Sequence, residues 1–315
     1  MPARYRDALP QLGDRLMVTD GGLETWLVYQ EGIELPDFAS FPLLATEAGR
    51  ETLRRYYDAF CQAALRTGVG CLLDTATWRA SPDWGARLGF SPAELDRLNR
   101  ASVTLVEEVR QRWDTPQVPM LISGAIGPRG DGYVPSALMQ PEEAAEYHAP
   151  QVRAFAESAA DMICALTMTN ANEAIGIARA AREAGMPVAI SFTVETDGKL
   201  PDGTALGKAI IATDAATRQA PAYYMINCAH PSHFAPVLEA GGAWLERLRG
   251  LRANPSAKSH AELNEATELD AGDPVALVSE LARLRARNRN LTVFGGCFGT
   301  DERHAERIAI ACRAA

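Results

Sequence analysis

The feature that most constrains this chain is a regular alternation of short β-rich runs with longer segments of helical periodicity. Eight runs predict strands: Leu16–Asp20, Gly70–Thr77, Met120–Gly124, Asp161–Thr167, Pro187–Thr193, Ala222–Cys228, Leu248–Asn254 and Leu291–Cys297. Segments rich in Ala, Leu, Glu and Arg lie between them and predict helices such as Thr52–Thr67, Pro92–Arg112, Glu142–Ala159, Asn172–Ala184 and Pro274–Arg287. We therefore predict a single (β/α)8 barrel domain covering residues 1–315.

An open, doubly wound sheet is the alternative that the same alternation allows. A dinucleotide-binding sheet of that kind carries a Gly-x-Gly-x-x-Gly turn after its first strand. The first predicted strand is followed instead by Asp20-Gly-Gly-Leu-Glu-Thr25. The sequence thus favours the barrel.

Composition narrows the class of protein. Hydrophobic residues make up 47% of the 315 residues and charged residues 23%, as in globular proteins with a full core. The net charge of −9 argues against nucleic acid as a partner. No apolar run approaches the ~18–20 residues of a membrane span. The first residues show no secretory signal, so we predict a cytoplasmic protein.

Six cysteines are scattered widely, at positions 61, 71, 164, 228, 297 and 312. In a long chain without an export signal, this distribution predicts reduced thiols rather than disulfides. Cys228 and Cys297 differ from the rest because each ends a predicted strand. Two thiols at equivalent strand ends can share one metal ion, and their sulfurs would then lie within about 4 Å of each other. Buried structural cysteines are the alternative.

Polar and glycine-rich residues also gather at the carboxyl ends of the predicted strands, where barrel enzymes place their active sites. The segments are Asp20–Thr25, Asp74–Thr77, Gly124–Pro128, Thr167, Ser191–Thr193, Asn227–Cys228, Asn254 and Gly295–Cys297. This coincidence predicts an enzyme.

These segments resemble the zinc-dependent homocysteine S-methyltransferase family, and the resemblance covers nearly the whole chain. It is carried by Asp20-Gly-Gly-Leu-Glu-Thr25, Thr75-Ala-Thr77-Trp, Gly124-Ala-Ile-Gly-Pro128, Ser191-Phe-Thr193, Ile226-Asn-Cys228 and Gly295-Gly-Cys297. The resemblance implies a (β/α)8 barrel in which three cysteines bind Zn²⁺, one after strand six and an adjacent pair after strand eight. The zinc-bound thiolate of homocysteine would then attack the methyl group of a sulfonium, ammonium or folate-type donor.

The chemistry of methyl transfer to a thiol explains why cysteine ligands and a metal are needed. A free thiol has a pKa near ~8.5, and zinc removes its proton outright. Three protein ligands leave a fourth position open for the acceptor. The resemblance assigns zinc to Cys228 and Cys297, but Phe298 stands where the second cysteine of the adjacent pair is expected. His230 is the nearest substitute ligand in sequence.

The resemblance also implies an amino-acid pocket. Asp20 would bind the substrate ammonium group, or serve as an ordinary turn aspartate. Leu166 occupies the place of a glutamate that commonly holds the same group. Thr75 and Thr77 end the second predicted strand, where they could contact substrate or simply suit a strand as β-branched residues. Asn254 ends the seventh and could hydrogen-bond substrate or a loop. The predicted substrate-binding set is Asp20, Gly21, Gly22, Thr75, Thr77 and Asn254.

Four further residues near the predicted strand ends could support the site. Asn227 would orient the loop that carries Cys228. Trp78, Trp84 and Tyr133 could surround an onium methyl group by cation–π contacts, or pack in the fold.

Two hypotheses of function follow. The first is an S-methyltransferase with a small thiol acceptor and an onium donor, and the second is a non-catalytic binding barrel without metal. A third hypothesis is a metal-free barrel enzyme such as a lyase, and its Schiff-base version is disfavoured because no lysine ends a predicted strand. The sequence leaves the donor and the oligomeric state open.

Overall fold

The computed structural model describes residues 3–135, 138–265, 269–270 and 272–315, and its eight parallel strands close into a barrel. The strands are β1 (Met17–Thr19), β2 (Gly70–Asp74), β3 (Met120–Ile126), β4 (Met162–Met168), β5 (Val188–Phe192), β6 (Tyr223–Asn227), β7 (Leu248–Ala253) and β8 (Val293–Gly296). Each strand pairs with the next in sequence, and β8 returns to β1 with Val293 beside Met17. The predicted barrel is confirmed, and the open sheet is excluded.

Helices follow the strands around the outside of the barrel. They are α1 (Leu23–Tyr29), α2 (Glu47–Thr67), α3 (Pro82–Arg87), α4 (Pro92–Trp113), α5 (Pro141–Ala156), α6 (Ala171–Glu183), α7 (Leu206–Thr217), α8 (Pro231–Glu239), α9 (His260–Asn264), α10 (Pro274–Arg287) and α11 (Glu302–Ala314). The predicted bounds of α10 are confirmed, with Asp273 capping its first turn. In the described part of the chain, no helix has the length and apolar character needed to cross a membrane.

Side chains alternate between two packed layers along each strand. In β4, Met162, Cys164 and Leu166 join the cluster inside the barrel, whereas Ile163 and Ala165 pack against the surrounding helices. Successive residues of a strand point to opposite faces, so a strand buried on both sides is apolar throughout. Polar side chains are therefore left mainly to the strand ends.

The segment before β1 covers the amino-terminal end of the barrel. Leu9 and Gln11 are buried there, and Gln11 Nε2 donates to the hydroxyl of Tyr223 at 3.3 Å. Ligands consequently have access from the opposite end, where the strands terminate.

Asp161, just before β4, fixes this covering segment. Its Oδ1 accepts hydrogen bonds from the backbone N–H groups of Arg4 and Tyr5, both at 2.8 Å. Its Oδ2 accepts from Ile122 N at 2.8 Å and from Arg110 Nη1 at 2.9 Å. Both charged side chains of the Asp161–Arg110 pair are buried.

We expect Asp161→Asn to lower the free energy of unfolding by about 3 kcal/mol, because it removes the closer counterion of the buried Arg110 and leaves only Glu107, whose Oε1 lies 3.9 Å from Arg110 Nη2. Urea denaturation measures the change. Asp7→Asn, an exposed position in the same segment, should change stability by less than about 0.5 kcal/mol. Equal stability of both variants would show that the carboxylate does not hold the segment.

Candidate active site

A cavity of about 340 Å³ opens at the carboxyl ends of the strands. Its walls come from β2, β3, β4, β6 and β7 and from the segments that follow β1, β2, β3, β6 and β8. Among the lining residues are Asp20, Gly21, Gly22, Glu24, Phe38, Asp74, Thr75, Trp78, Arg79, Asp131, Tyr133, Leu166, Thr167, Asn227, Cys228, Arg252, Cys297 and Phe298. Most of the segments singled out from the sequence meet here, as a barrel requires.

Cys228 and Cys297 lie side by side in the cavity wall and are joined as a disulfide. The predicted closeness of the two sulfurs is confirmed. The prediction of reduced thiols is wrong for this pair, because the ends of β6 and β8 bring the two Cα atoms to 5.4 Å, a separation typical of disulfides. The other four cysteines are free and buried.

The third ligand that zinc needs is not provided beside this pair. The Phe298 ring has no donor atom, and it stacks near Phe38 with ring centroids 6.4 Å apart. His230 does not join the pair: its Nδ1 accepts from Ser232 N at the start of α8. No group of three or more His, Cys, Asp or Glu side chains within the described ranges could hold a metal ion. The residues present therefore do not fit a three-ligand catalytic zinc.

Gly21 and Gly22 allow the β1 and β8 loops to meet. A Cβ atom at Gly22 would lie 2.6 Å from the Cys297 carbonyl oxygen, and one at Gly21 would lie 2.5 Å from that of Thr300. Both distances are shorter than van der Waals contact, so a larger residue would push Cys297 away. Substrate contact by these glycines stays a prediction.

Arg252, which sequence reasoning missed, lies on the cavity floor between two carboxylates. Its Nη2 donates to Asp20 Oδ1 at 2.9 Å, and its Nη1 donates to Asp74 Oδ2. Its Nε reaches the Gly296 carbonyl at 3.4 Å, and the Tyr56 hydroxyl donates to Asp20 Oδ2 at 3.4 Å. All three charged residues are at most 4% exposed. The floor is thus a buried ion triad linking β1, β2 and β7.

Burial and charge act against each other in this triad. Burial raises the pKa of Asp20, and the adjacent guanidinium lowers it only in part. Burial alone would lower the pKa of Arg252, but Asp74 and Asp20 raise it above its ordinary value. Asp74 Oδ1 is buried without a hydrogen-bond partner among the described residues. Asp20 therefore reaches the cavity with much of its charge already compensated by Arg252.

The remaining predicted substrate residues differ in position. Thr75 lines the cavity, and its Oγ1 accepts from Ala125 N at 2.9 Å. Thr77 is fully buried and donates to the Ala125 carbonyl at 2.8 Å. Asn254 is buried outside the lining residues, and its Oδ1 accepts from Ser256 N at 3.0 Å. Thr75 alone of these three faces the ligand space.

Asn227 braces the end of β4. Its Oδ1 accepts from Thr167 N at 2.8 Å and from Ser191 Oγ at 2.6 Å, while its Nδ2 donates to Thr167 Oγ1 at 2.9 Å. Thr167 has φ of 62°, a left-handed conformation that non-glycine residues adopt rarely. The neighbouring Leu166 lines the cavity.

A second missed residue, His260, supports the cavity wall from behind. Its ring lies face to face with that of Tyr133, with centroids 4.0 Å apart. Its Nδ1 is 2.9 Å from Glu195 Oε1, and its Nε2 is 2.9 Å from the Cys228 carbonyl oxygen. His260 thereby connects the Tyr133 loop to the cysteine pair. In the structure, Ser259 and Glu262 form a capping box at the start of α9, a pattern that marks a helix terminus and not a binding site.

Two of the three predicted aromatic residues line the cavity, and the third packs beyond it. Trp78 and Tyr133 line the cavity, whereas Trp84 is buried beyond it. The guanidinium carbon of Arg79 lies 5.0 Å from the ring centroid of Trp78 and 4.1 Å from that of Trp84. Burial lowers the pKa of Arg79. The mouth therefore combines aromatic faces with one cation and with the carboxylates of Glu24 and Asp131.

Comparison with known proteins gives a consistent result. The family model for homocysteine S-methyltransferase matches residues 17–312. Homocysteine S-methyltransferase of Escherichia coli K12 is 29% identical over 253 residues, which cover 76% of each chain. Homocysteine S-methyltransferase YbgG of Bacillus subtilis 168 is 29% identical over 203 residues, which cover 60% of this chain and 62% of that protein, less than two thirds of its length.

Solved structures agree in fold. The oxidized form of the homocysteine methyltransferase MmuM from Escherichia coli superposes with a TM-score of 0.73 at 22% identity, covering 97% of this chain and 98% of that chain. The metallated form of the same protein gives a TM-score of 0.71 at 21% identity, covering 97% and 99%. At these identities the likeness supports the barrel alone.

We expect Arg252→Met to destabilise the protein by about 3–5 kcal/mol, because it leaves two carboxylates buried without their counterion. Arg249→Met, in the same strand but partly exposed, should cost less than about 1 kcal/mol. Adding Asp20→Asn and Asp74→Asn to Arg252→Met should recover part of the loss. Denaturant unfolding that ranks the two arginine variants equally would contradict this account of the floor.

We expect Phe298→Cys to raise the zinc content of the reduced protein to about one ion per chain, because it supplies the third thiolate. The unsubstituted protein should retain clearly less after equilibrium dialysis against zinc, measured by atomic emission. Phe90→Cys, which adds a thiol at a position outside the cavity lining, is the matched control. If Phe298→Cys holds no more zinc than Phe90→Cys, the missing third ligand does not limit zinc binding.

Proposed function

This chain belongs to the homocysteine S-methyltransferase family, and from that premise we propose that it transfers a methyl group from an onium donor to a small thiol. The observation that carries the proposal is the position of Cys228 and Cys297 in the wall of a cavity at the strand ends. A cavity of about 340 Å³ is at the lower end of the range for small-molecule sites, which suits ligands of amino-acid size.

Methyl transfer depends on placement, since sulfur, methyl carbon and leaving group must be in line. The carboxylates that line the cavity, Asp20, Asp74, Glu24 and Asp131, outnumber the guanidinium groups of Arg79 and Arg252. A cationic donor is favoured by this excess of negative charge. Burial raises the pKa of Asp20 and of Glu24, so the excess is smaller than the formal charges indicate.

The proposed reaction does not use zinc, because the described residues supply only two of the three protein ligands of a catalytic zinc site. The thiol of cysteine has a pKa of about 8.5, so an alkyl thiol acceptor without metal is mostly protonated at neutral pH. Assays at alkaline pH would raise the fraction of the acceptor present as thiolate, the form that attacks carbon.

The cavity also bears on which thiol is the acceptor. Leu166 offers no charge to an ammonium group, and the Asp20 carboxylate is already paired with Arg252 at 2.9 Å. An amino group brought to the cavity floor would therefore gain little from either position. We propose that the acceptor is a thiol whose amino group contributes weakly to binding.

The proposal is tested by measuring methylation of homocysteine and of 4-mercaptobutyrate, its deamino analogue, with a panel of sulfonium, quaternary ammonium and methyl-folate donors. The protein is first reduced with a phosphine to open the Cys228–Cys297 disulfide. We expect kcat/KM for homocysteine to exceed that for 4-mercaptobutyrate by less than about a hundredfold, equal to ~2.7 kcal/mol. Leu166→Glu should increase the ratio, and Leu166→Gln, which adds polarity without charge, should not.

A larger preference for homocysteine in the unsubstituted protein would mean that other groups bind its ammonium. Failure of the reduced protein to methylate any thiol with any donor would contradict the transferase. In that case, retained binding of the thiol would favour the second candidate, a non-catalytic barrel. The absence of a third thiolate at Phe298 is the observation that supports that candidate.

A further inference from the structure

Two phenylalanines face the cavity beside Cys297 instead of packing in the core. Phe38 and Phe298 are half-buried and line the cavity, whereas most other phenylalanines are fully buried. Their rings are 6.4 Å apart between centroids, with planes inclined by 25°. Together they place two nearly parallel rings on one side of the cavity, here called the Phe38–Phe298 wall.

The backbone at Phe38 is held in an unfavourable conformation. Asp37 and Phe38 have φ of 50° and 55°, in the left-handed region that costs non-glycine residues conformational energy. The Asp37 carbonyl accepts from Arg79 Nη1, and its carboxylate accepts from Arg87 Nη2 at 2.6 Å. Two arginines thus stabilise the turn that directs Phe38 into the cavity. Strain maintained in this way is typical of functional positions.

The charges near the wall favour a cation. Arg252 is occupied by Asp20 and Asp74, and the Arg79 guanidinium is stacked between Trp78 and Trp84. Neither cation is free to cover the phenyl faces. Glu24 and Asp131 line the same cavity, and Asp131 balances part of the Arg79 charge, since its Oδ2 lies 3.7 Å from Arg79 Nη2. An aromatic face attracts an organic cation through its negative quadrupole, and more strongly away from water.

We propose that the Phe38–Phe298 wall binds the onium head of the ligand, a sulfonium or quaternary ammonium group, through its aromatic faces. This rests on the proposed function, because an onium donor is what that reaction needs. Phe298 then has a positive role: it offers a ring to an organic cation at the position where a thiolate would bind a metal cation. Residues 38 and 298 determine donor specificity by charge as well as by shape.

The test compares two ligands of equal shape, choline and 3,3-dimethylbutan-1-ol, in which a neutral carbon replaces the nitrogen. Binding is measured by calorimetric titration without any thiol acceptor. Phe38→Leu and Phe298→Leu should each weaken choline binding about 3- to 30-fold. The same variants should change dimethylbutanol binding less than twofold. Phe90→Leu, whose ring packs on Phe41 with centroids 5.2 Å apart, should alter neither.

A variant that keeps the ring separates loss of cation binding from loss of the fold. Replacement of Phe298 by 3,4,5-trifluorophenylalanine preserves the shape and weakens the negative face, so it should also weaken choline binding. Equal losses for both ligands would show an apolar wall without cation recognition and would overturn the proposal. Unchanged choline binding in the fluorinated protein, or no choline binding by the unsubstituted protein, would overturn it as well.

The outcome is separable from that of the proposed function, because binding is scored without turnover. A protein that binds choline through the wall but methylates no thiol would contradict the transferase alone. Methyl transfer that is indifferent to the ring at 298 would contradict the wall alone.

Discussion

The Arg252 guanidinium between Asp20 and Asp74 is the interaction on which the cavity depends. The three members of this triad follow or belong to β1, β2 and β7, so it links strands that are not all neighbours in the barrel. Two carboxylates this close would repel each other without the cation, and the free energy of burying any one of the three charges alone is unfavourable by several kcal/mol. Pairing within the triad offsets the cost of burying its charges, and the paired side chains hold the loops above them in place. Gly21 and Gly296, whose carbonyls Arg252 also contacts, flank the meeting of the β1 and β8 loops beside Cys297.

Periodicity was sufficient to predict the barrel, and strand-end position was sufficient to bring Cys228, Cys297, Asp20 and Thr75 together. A parallel barrel places all strand carboxyl ends at one mouth whatever the detailed packing. The same logic fails for residues whose side chains turn away from that mouth, as Thr77 and Asn254 do. It also fails for His230, because a helix-start histidine can satisfy the helix instead of the site.

Arg252 and His260 were missed for a different reason. Arg252 lies in an otherwise unremarkable strand, Leu248-Arg-Gly-Leu-Arg-Ala253, and its alternation could have placed that side chain inside the barrel. The two aspartates that make such a burial tolerable are far away in sequence. His260 acts through a carbonyl oxygen, for which no sequence motif exists. Whether two neighbouring cysteines are thiols or a disulfide depends equally on a distance that strand ends alone do not fix.

The covered amino-terminal end of the barrel has a kinetic consequence. Because Leu9, Gln11 and the residues around Asp161 close that end, the described residues leave the cavity open at the carboxyl ends of the strands, and two reactants would share that opening. If one ligand binds against the Arg252 floor and the other nearer the mouth, the deeper ligand has to enter first and leave last. A barrel closed at one end would in this way give a two-substrate reaction an order of addition and release.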